Sequence, residues 1–234
     1  MEKTKPLYEG KAKILWETDA PGLLVQEFKN DATAFDGTKH DVIEGKGSLN
    51  NAISSLFFTA LGDEGVRNHF VRKIGETEML VQRLEMLPVE VVVRNVAAGS
   101  LVRRLGIETG RTFDPPIVEF YLKDDALHDP ILTEDHVLAL GIATLERMHE
   151  MRRVGLTVNV VLDRFLRDRE IRLVDFKLEF GTLDDELVLG DEISPDTCRL
   201  HDAASGGVMD KDRFREDMGG LIEAYREVLD RVSS

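Results

Sequence analysis

The sequence predicts an α+β fold, on three observations. Strand-like runs dominate the chain as far as Val96, and helical periods alternate with strands beyond it. Apolar side chains make up 42% and charged ones 32%, which suits a globular protein and excludes wholesale disorder. The 234 residues fit one large domain or two small lobes sharing a core, with no need of a disulfide or metal staple.

Taken in order, residues 7–9 and 14–16 flank residues 10–13 and read as strand, turn and strand. Residues 23–28 make a further strand. Ser48 is placed to N-cap a helix running to Leu61, with Ile53, Leu56, Phe57 and Ala60 on one face. Residues 70–74, 79–84 and 89–96 read as strands. Pro88 lacks the N–H that a ladder needs, so the strand is expected to break there. A lobe boundary is expected at the same place, dividing residues 1–87 from 88–234. Residues 99–105 read as a short helix opened by Ser100. Asp114, Pro115 and Pro116 read as a stiff loop. Residues 133–138 and 143–166 read as helices. In the second, Leu145, Met148, Arg152 and Leu156 step at helical intervals, although Gly155 weakens the pattern. Residues 173–180 and 186–189 read as a hairpin. Leu221, Tyr225, Val228 and Val232 form the stripe of a C-terminal amphipathic helix.

Charge narrows the function. The 30 basic and 44 acidic side chains leave a formal net charge of −14, which opposes non-specific binding to nucleic acid and to anionic membranes. Aromatics are only 6%, too few for broad base-stacking surfaces. A phosphorylated small molecule stays open, because local lysine and arginine clusters override the global field. The one cysteine, Cys198, permits no internal disulfide and fits a reducing cytosol. Residues 1–10 have no apolar stretch of the secretory type, and the uncharged run at 47–62 is short and polar, so a cytoplasmic protein is expected.

The segment from Leu173 to Phe180 is the most informative. With period two, Val174, Phe176, Leu178 and Phe180 share a core face, and Asp175, Lys177 and Glu179 share the other. Asp191 and Glu192 follow shortly. Two readings of this acid cluster stand: a solvated strand face with an ion pair, or a site for a hard divalent cation such as Mg²⁺. Gly10, Lys11, Ala12 and Lys13 read either as an exposed hairpin turn or as a loop over nucleotide phosphates. Arg94 ends a strand that leads into the helix at Ser100, a place where an anion could be gripped. Cys198 reads as an inert small residue. The 6 histidines show no zinc spacing, and no G-x-S-x-G elbow occurs.

In their joint order these segments resemble the SAICAR synthetase family. The resemblance runs from Leu7, Tyr8, Glu9 and the Gly10 to Lys13 turn through Asn30, Asp31, Phe35, Asp36 and Gly37, then Lys46, Gly47, Asn50 and Asn51. It continues through Pro88 to Asn95, Ala98 to Leu101, Leu122 to Asp125, His128 to Pro130 and Val174 to Gly181. Leu189 to Glu192, Ser194 to Asp196, Arg199 and Asp210 to Arg215 complete it.

That resemblance implies a small kinase-like ATP-binding lobe on a larger α+β lobe, with a central cleft between them. It implies ATP-dependent ligation of L-aspartate to the carboxylate of the imidazole nucleotide CAIR, giving SAICAR, ADP and phosphate through an acyl phosphate. It further implies that Gly10, Lys11, Ala12 and Lys13 hold ATP phosphates, joined by Lys123, with Val81 and Met86 along the adenine. Glu179 and Asp191 would hold Mg²⁺. Arg94, Ser100 and Arg199 would grip the CAIR phosphate, and Asp175 and Asp196 would orient its ribose or imidazole. Lys177, Lys211 and Arg215 would be further anion contacts, with an i,i+4 pair on a solvated helix as the other reading of the last two. Asp36 and Asn51 serve either substrate or local turns. His201 stands where the family often has tryptophan. A homodimer or higher homo-oligomer is expected. Two rivals remain in view. A kinase-like phosphotransferase would need an H-R-D-x-x-x-x-N run, which the chain lacks. A non-catalytic nucleotide-binding scaffold would tolerate loss of Glu179 or Asp191.

Overall fold

A computed structural model describes residues 2–34 and 37–234. Met1, Phe35 and Asp36 lie outside the described residues, and with them the reading of Asp36 as a substrate contact. The elements run β1 (Lys3–Glu9), β2 (Lys13–Thr18), β3 (Leu23–Phe28), β4 (Asp31–Ala34), β5 (Lys39–Val42) and α1 (Lys46–Asp63). Then come β6 (Phe70–Lys73), β7 (Glu78–Gln82), β8 (Glu85–Val96), α2 (Gly99–Leu105), β9 (Thr112–Leu122) and β10 (Ile131–Leu132). α3 (Glu134–Ala139), α4 (Leu145–Arg167), β11 (Ile171–Leu183), β12 (Glu186–Gly190), β13 (Cys198–Asp202), α5 (Asp212–Arg215) and α6 (Leu221–Val232) complete the chain.

One sheet has the order β1-β2-β3-β7-β6, and a second has the order β10-β9-β8-β11-β12, with β13 also paired to β11. β4 and β5 form a separate hairpin. Leu24, Phe28, Met79 and Val81 make a small core under the first sheet. The large core lies beneath the second sheet and joins α1, α4 and α6 to it through residues such as Phe57, Met151, Phe176, Phe180 and Val228. Burying each of these large side chains contributes about 1.5–3 kcal/mol. α1 is buried on nearly every side, packing on β3, β6 and β7 as well as on α4 and α6. Gly47 lets it start there, because a Cβ would lie 2.5 Å from the Phe28 carbonyl oxygen.

Several expectations need correction. β8 does not break at Pro88. Its register on β11 jumps from Glu90↔Glu179 to Met86↔Gly181, so the proline falls in a bulge where no ladder donor is needed. The Pro88 carbonyl still accepts from the Lys123 N–H, at 3.0 Å. Asp114, Pro115 and Pro116 are strand rather than loop. They sit between the pairs Arg94↔Ile117 and Val96↔Thr112, where the ladder is again irregular. Ser48 lies inside α1, whose N-cap is Gly45, and its hydroxyl donates to the Gly45 carbonyl at 2.9 Å. Ser100 likewise lies inside α2, which Ala98 caps.

On α4 the buried stripe includes Met148, Met151, Gly155, Val158 and Leu162, while Arg152 is exposed. Gly155 lies against β8, its missing Cβ leaving room for Val93 and Val91. On β11 a register shift between Leu173 and Asp175 brings Leu173 into the large core with Phe176, Leu178 and Phe180, while Val174 is buried, as expected, outside that cluster. The hairpin of β11 with β12 and the C-terminal stripe Leu221, Tyr225, Val228 and Val232 are as expected.

Candidate active site

β8 and β11 are neighbours, and their side chains alternate in phase. The cross-strand pairs Arg94↔Asp175, Val92↔Lys177 and Glu90↔Glu179 therefore share one face. That face is the floor of a cleft of about 500 Å³. Opposite it stands the turn between β1 and β2, closed by the Gly10 N–H donating to the Lys13 carbonyl at 2.9 Å. Lys123, from the end of β9, and Asp191, Glu192, Asp196, Arg199, Lys211 and Arg215 complete the walls.

Every charge in the floor is answered by another. The Lys13 ammonium donates to Asp191 at 2.5 Å and to Glu192 at 2.9 Å. Lys177 donates to Glu90 and to Glu179, both at 2.6 Å, and so separates two like charges placed directly opposite. Lys123 also donates to Glu179. Lys11 reaches outward to Asp125 at 2.6 Å. Burial alone would lower the pKa of Lys13 and Lys177, but the surrounding carboxylates outweigh it and hold both above the usual lysine range. Burial would raise Asp191; Lys13, Lys177 and Lys123 instead hold it well below the usual carboxylate range. Asp191 adopts φ 58°, a left-handed conformation rare outside glycine, as the chain turns off β12.

The other end of the cleft is built around arginines. Arg94, only 3% exposed, donates to Glu119 at 2.6 Å and Asp175 at 2.8 Å, with Ser100 and Tyr121 each at 3.3 Å. Ser100 thus stands behind Arg94 rather than lining the cleft. Arg199 donates to Asp175 at 2.9 Å and to Asp212 at 2.6 Å, and Arg215 donates to Asp212 at 2.5 Å. Asp196 meets the Lys46 ammonium at 2.6 Å, the Tyr225 hydroxyl at 2.7 Å and Lys211 at 3.6 Å. Lys211 lines the cleft beside a helix of one turn, so the two cations are not a pair on a solvated helix.

A second, largely apolar pocket of about 500 Å³ opens beside the first. Val81 and Met86 line it with Leu15, Leu24, Leu84 and His69. Tyr8, Lys13, Lys123, Glu179 and Asp191 line both spaces, so the two adjoin across these side chains. His69 is buried, and desolvation pushes its imidazole down to about 4, so it is neutral at physiological pH.

Sequence reasoning gave no site role to Glu90, Glu119, Tyr121, Asp212, Tyr225 or His69, although Glu90 and Asp212 lie in segments that carry the family resemblance and Tyr225 in the C-terminal stripe. Their only signal was a polar residue inside an apolar run, as with Glu90 between Val89 and Val91. Asn51 caps the turn between β6 and β7, donating to the carbonyls of Gly75, Glu76 and Glu78, so its duty is local. His201 bridges to Val208, and burial together with Arg172 pushes its imidazole down. Cys198 is buried, and desolvation lifts its thiol far above the reactive range.

Among the described residues no group of three or more histidine, cysteine or acidic side chains converges to hold a metal alone. Glu179 and Asp191 nevertheless line both spaces as hard oxygen donors. Such a pair suits Mg²⁺, which takes one or two carboxylates and fills its shell with water and phosphate oxygens. No helix among the described residues is long and apolar enough to cross a membrane.

The sequence profile of SAICAR synthetase matches residues 6–232. A phosphoribosylaminoimidazole-succinocarboxamide synthase of Persephonella marina is 53% identical over 232 residues, covering 99% of this chain and 98% of that one. The crystal structure of the Ehrlichia chaffeensis protein of the same name superposes with a TM-score of 0.95 at 42% identity, covering 98% of each chain. A structure of SAICAR synthetase in complex with ADP superposes at 0.93 with 48% identity over 96% of each chain. Since both sequence and backbone agree from end to end around this charged cleft, the chain belongs to the SAICAR synthetase family.

Proposed function

We propose that the protein joins L-aspartate to the carboxylate of CAIR, splitting ATP to ADP and phosphate and forming SAICAR. The single observation that carries this reading is an apolar pocket adjoining a charged cleft, with Lys13, Lys123, Glu179 and Asp191 lining both. An adenine fits the first space, its ring along Val81 and Met86. An imidazole nucleotide fits the second, and the γ-phosphate then lies at the boundary. The relatives' names and the ADP bound to one of them support the same assignment.

The residues divide the work. Gly10 and Ala12 bring backbone close to the phosphates, and Lys11 and Lys13 supply positive charge. Glu179 and Asp191 are the residues that would hold Mg²⁺, which when bound neutralises phosphate charge. A carboxylate oxygen of CAIR attacks the γ-phosphorus, and the bond to ADP breaks. Phosphoryl transfer is mainly positioning and charge neutralisation, which Lys13, Lys123 and Lys177 supply. The aspartate amine, as the free base, then attacks the acyl carbon; the C–N bond forms, phosphate departs with the C–O electron pair, and the proton lost by the nitrogen passes to the departing phosphate or to water. Arg94, Arg199, Lys211 and Arg215 hold the CAIR phosphate, with Ser100 behind Arg94. Asp175 and Asp196 orient the ribose or imidazole. Residues 1–87 act as the ATP lobe and 88–234 as the substrate lobe; the sheet changes between Gln82 and Glu85, so this boundary falls within β8. We further propose a cytoplasmic homodimer or higher homo-oligomer.

The test is ADP release by purified protein with ATP, Mg²⁺, CAIR and L-aspartate, leaving out each in turn. ADP together with SAICAR only in the complete mixture is expected. ATP hydrolysis indifferent to CAIR and aspartate would overturn the reading.

A second result bears on the arginine end. Gly99 has φ 54°, and a Cβ there would lie 2.5 Å from the Arg199 guanidinium. Gly99→Ala is expected to displace Arg199 and raise the KM for CAIR by about tenfold or more, with the KM for ATP unchanged. Steady-state kinetics check it, and an unaltered CAIR KM would refute the role given to Arg199.

A further inference from the structure

Asp210 is fully buried and does not line the cleft. Its two carboxylate oxygens accept from two backbone N–H groups on different elements. One bond comes from Leu200 on β13 at 2.8 Å, the other from Asp212 at the start of α5 at 2.7 Å. Leu200 follows Arg199, and Asp212 is the partner that Arg199 holds at 2.6 Å. One buried carboxylate therefore ties together the backbones that carry both members of the ion pair. Asp212 holds Arg215 in turn.

We propose that Asp210 is a positioning residue that locks residues 211–215 onto β13 and thereby sets the Arg199–Asp212 pair for substrate. The proposal rests on the reading that the CAIR phosphate binds at this end of the cleft. The charge state of Asp210 makes the role visible. Burial lifts its carboxyl to about 7, with the Asp212 carboxylate adding to the rise, while the two N–H groups and Arg199 oppose it. The groups facing it are Arg199 and Cys198 on β13, Asp212 on α5 and Tyr225 on α6. Burial holds the Cys198 thiol and the Tyr225 phenol well above their ordinary values, so both stay neutral near pH 7.

The sign follows from linkage. A carboxyl raised above its unfolded value favours the neutral form, so its stabilisation of the fold is full below about pH 4 and is lost as pH rises through 7. Anchoring has the opposite sense, because only the carboxylate offers both oxygens as acceptors. The arm is held above about pH 7 and loosens below it, so affinity for CAIR rises with pH.

The experiment measures kcat and the KM values of CAIR and ATP for wild type and Asp210→Asn from about pH 5.5 to about 8.5. At about pH 8 the variant is expected to raise the CAIR KM about tenfold, leaving kcat within about threefold and the ATP KM unchanged. The substrate phosphate itself titrates near 6, in both proteins. The wild type carries an additional rise in CAIR KM below about pH 7, which the variant lacks. An unchanged CAIR KM, equal losses in every parameter, or identical pH profiles would overturn the proposal. Should the variant fail to fold, the wild-type amide NMR signals of Leu200 and Asp212 decide. They are expected to shift together with a midpoint near 7, and signals that do not titrate overturn the proposal. Wild-type ADP release dependent on CAIR and aspartate is the control that separates failure of this role from failure of the assigned reaction.

Discussion

Glu179→Gln is expected to lower ADP release by about 10²–10³-fold while leaving the protein folded. Glu179 is 2% exposed and stands where the apolar pocket meets the charged cleft. Glutamine keeps its shape and one acceptor for Lys123 or Lys177, but removes the charge. Lys177 retains Glu90 at 2.6 Å, so the floor does not collapse. What is lost is one of the two carboxylates that could share a divalent cation with the phosphates. The half-saturating Mg²⁺ concentration is accordingly expected to rise about tenfold or more. Turnover measured against Mg²⁺, with melting followed by circular dichroism, checks both statements. Normal turnover with unaltered Mg²⁺ dependence would remove Glu179 from the reaction as a metal ligand.

The largest effect on stability is expected from Lys46→Met. Lys46 is fully buried at the start of α1, and its ammonium lies 2.6 Å from the Asp196 carboxylate. Neither the Lys46 ammonium nor the facing Asp196 oxygen has a well-directed hydrogen bond, so the contact is chiefly one of charge. Burial would raise the pKa of Asp196, but Lys211 and Lys46 outweigh it and keep the group ionised. Removing Lys46 leaves a buried carboxylate with Lys211 at 3.6 Å and the Tyr225 hydroxyl. Breaking such a pair costs about 3–5 kcal/mol. At about 2–4 °C per kcal/mol for a chain this long, the Tm falls by about 6–20 °C. Lys46→Met with Asp196→Leu is expected to recover part of that loss, since it removes the unpaired carboxylate but leaves Lys211 and the Tyr225 hydroxyl without their acceptor. Thermal melts of the three proteins decide it. A shift below about 2 °C, or a double variant no better than the single, would show that the pair is not charge-coupled. Asp196 has a depressed pKa, so its contribution is present above its unfolded value and is lost as pH falls below about 4.

Much of the site was legible because strand stereochemistry is local. Period two put Asp175, Lys177 and Glu179 on one face, and all three line the cleft. The same rule missed Leu173, which joins the large core because a register shift against β13 adds a residue that the periodicity does not announce. The proline rule failed at Pro88 and at Pro115 and Pro116 for a related reason. A proline breaks a strand only where its N–H is needed, and that depends on the neighbouring strand's register. Ser48 and Ser100 looked like helix caps, yet the helices start earlier. α1 begins at Lys46 behind a left-handed Gly45, and there the Lys46 ammonium meets Asp196.

Partner choice was the part that sequence reasoning could not reach. Glu90 read as one polar position in an apolar strand, and its meaning comes from Lys177, 87 positions away. Lys46, Tyr225 and Asp196 come from α1, α6 and the stretch before β13, and no local pattern joins them. The chain by itself determined the family, through many short motifs in one order, together with the alternation that aims the acids and lysines of β11 at one face. Only the tertiary structure decided which cation answers which carboxylate and which of them lie away from water. Coulomb attraction depends on separation and on the local dielectric, and both are set by packing between elements remote in sequence.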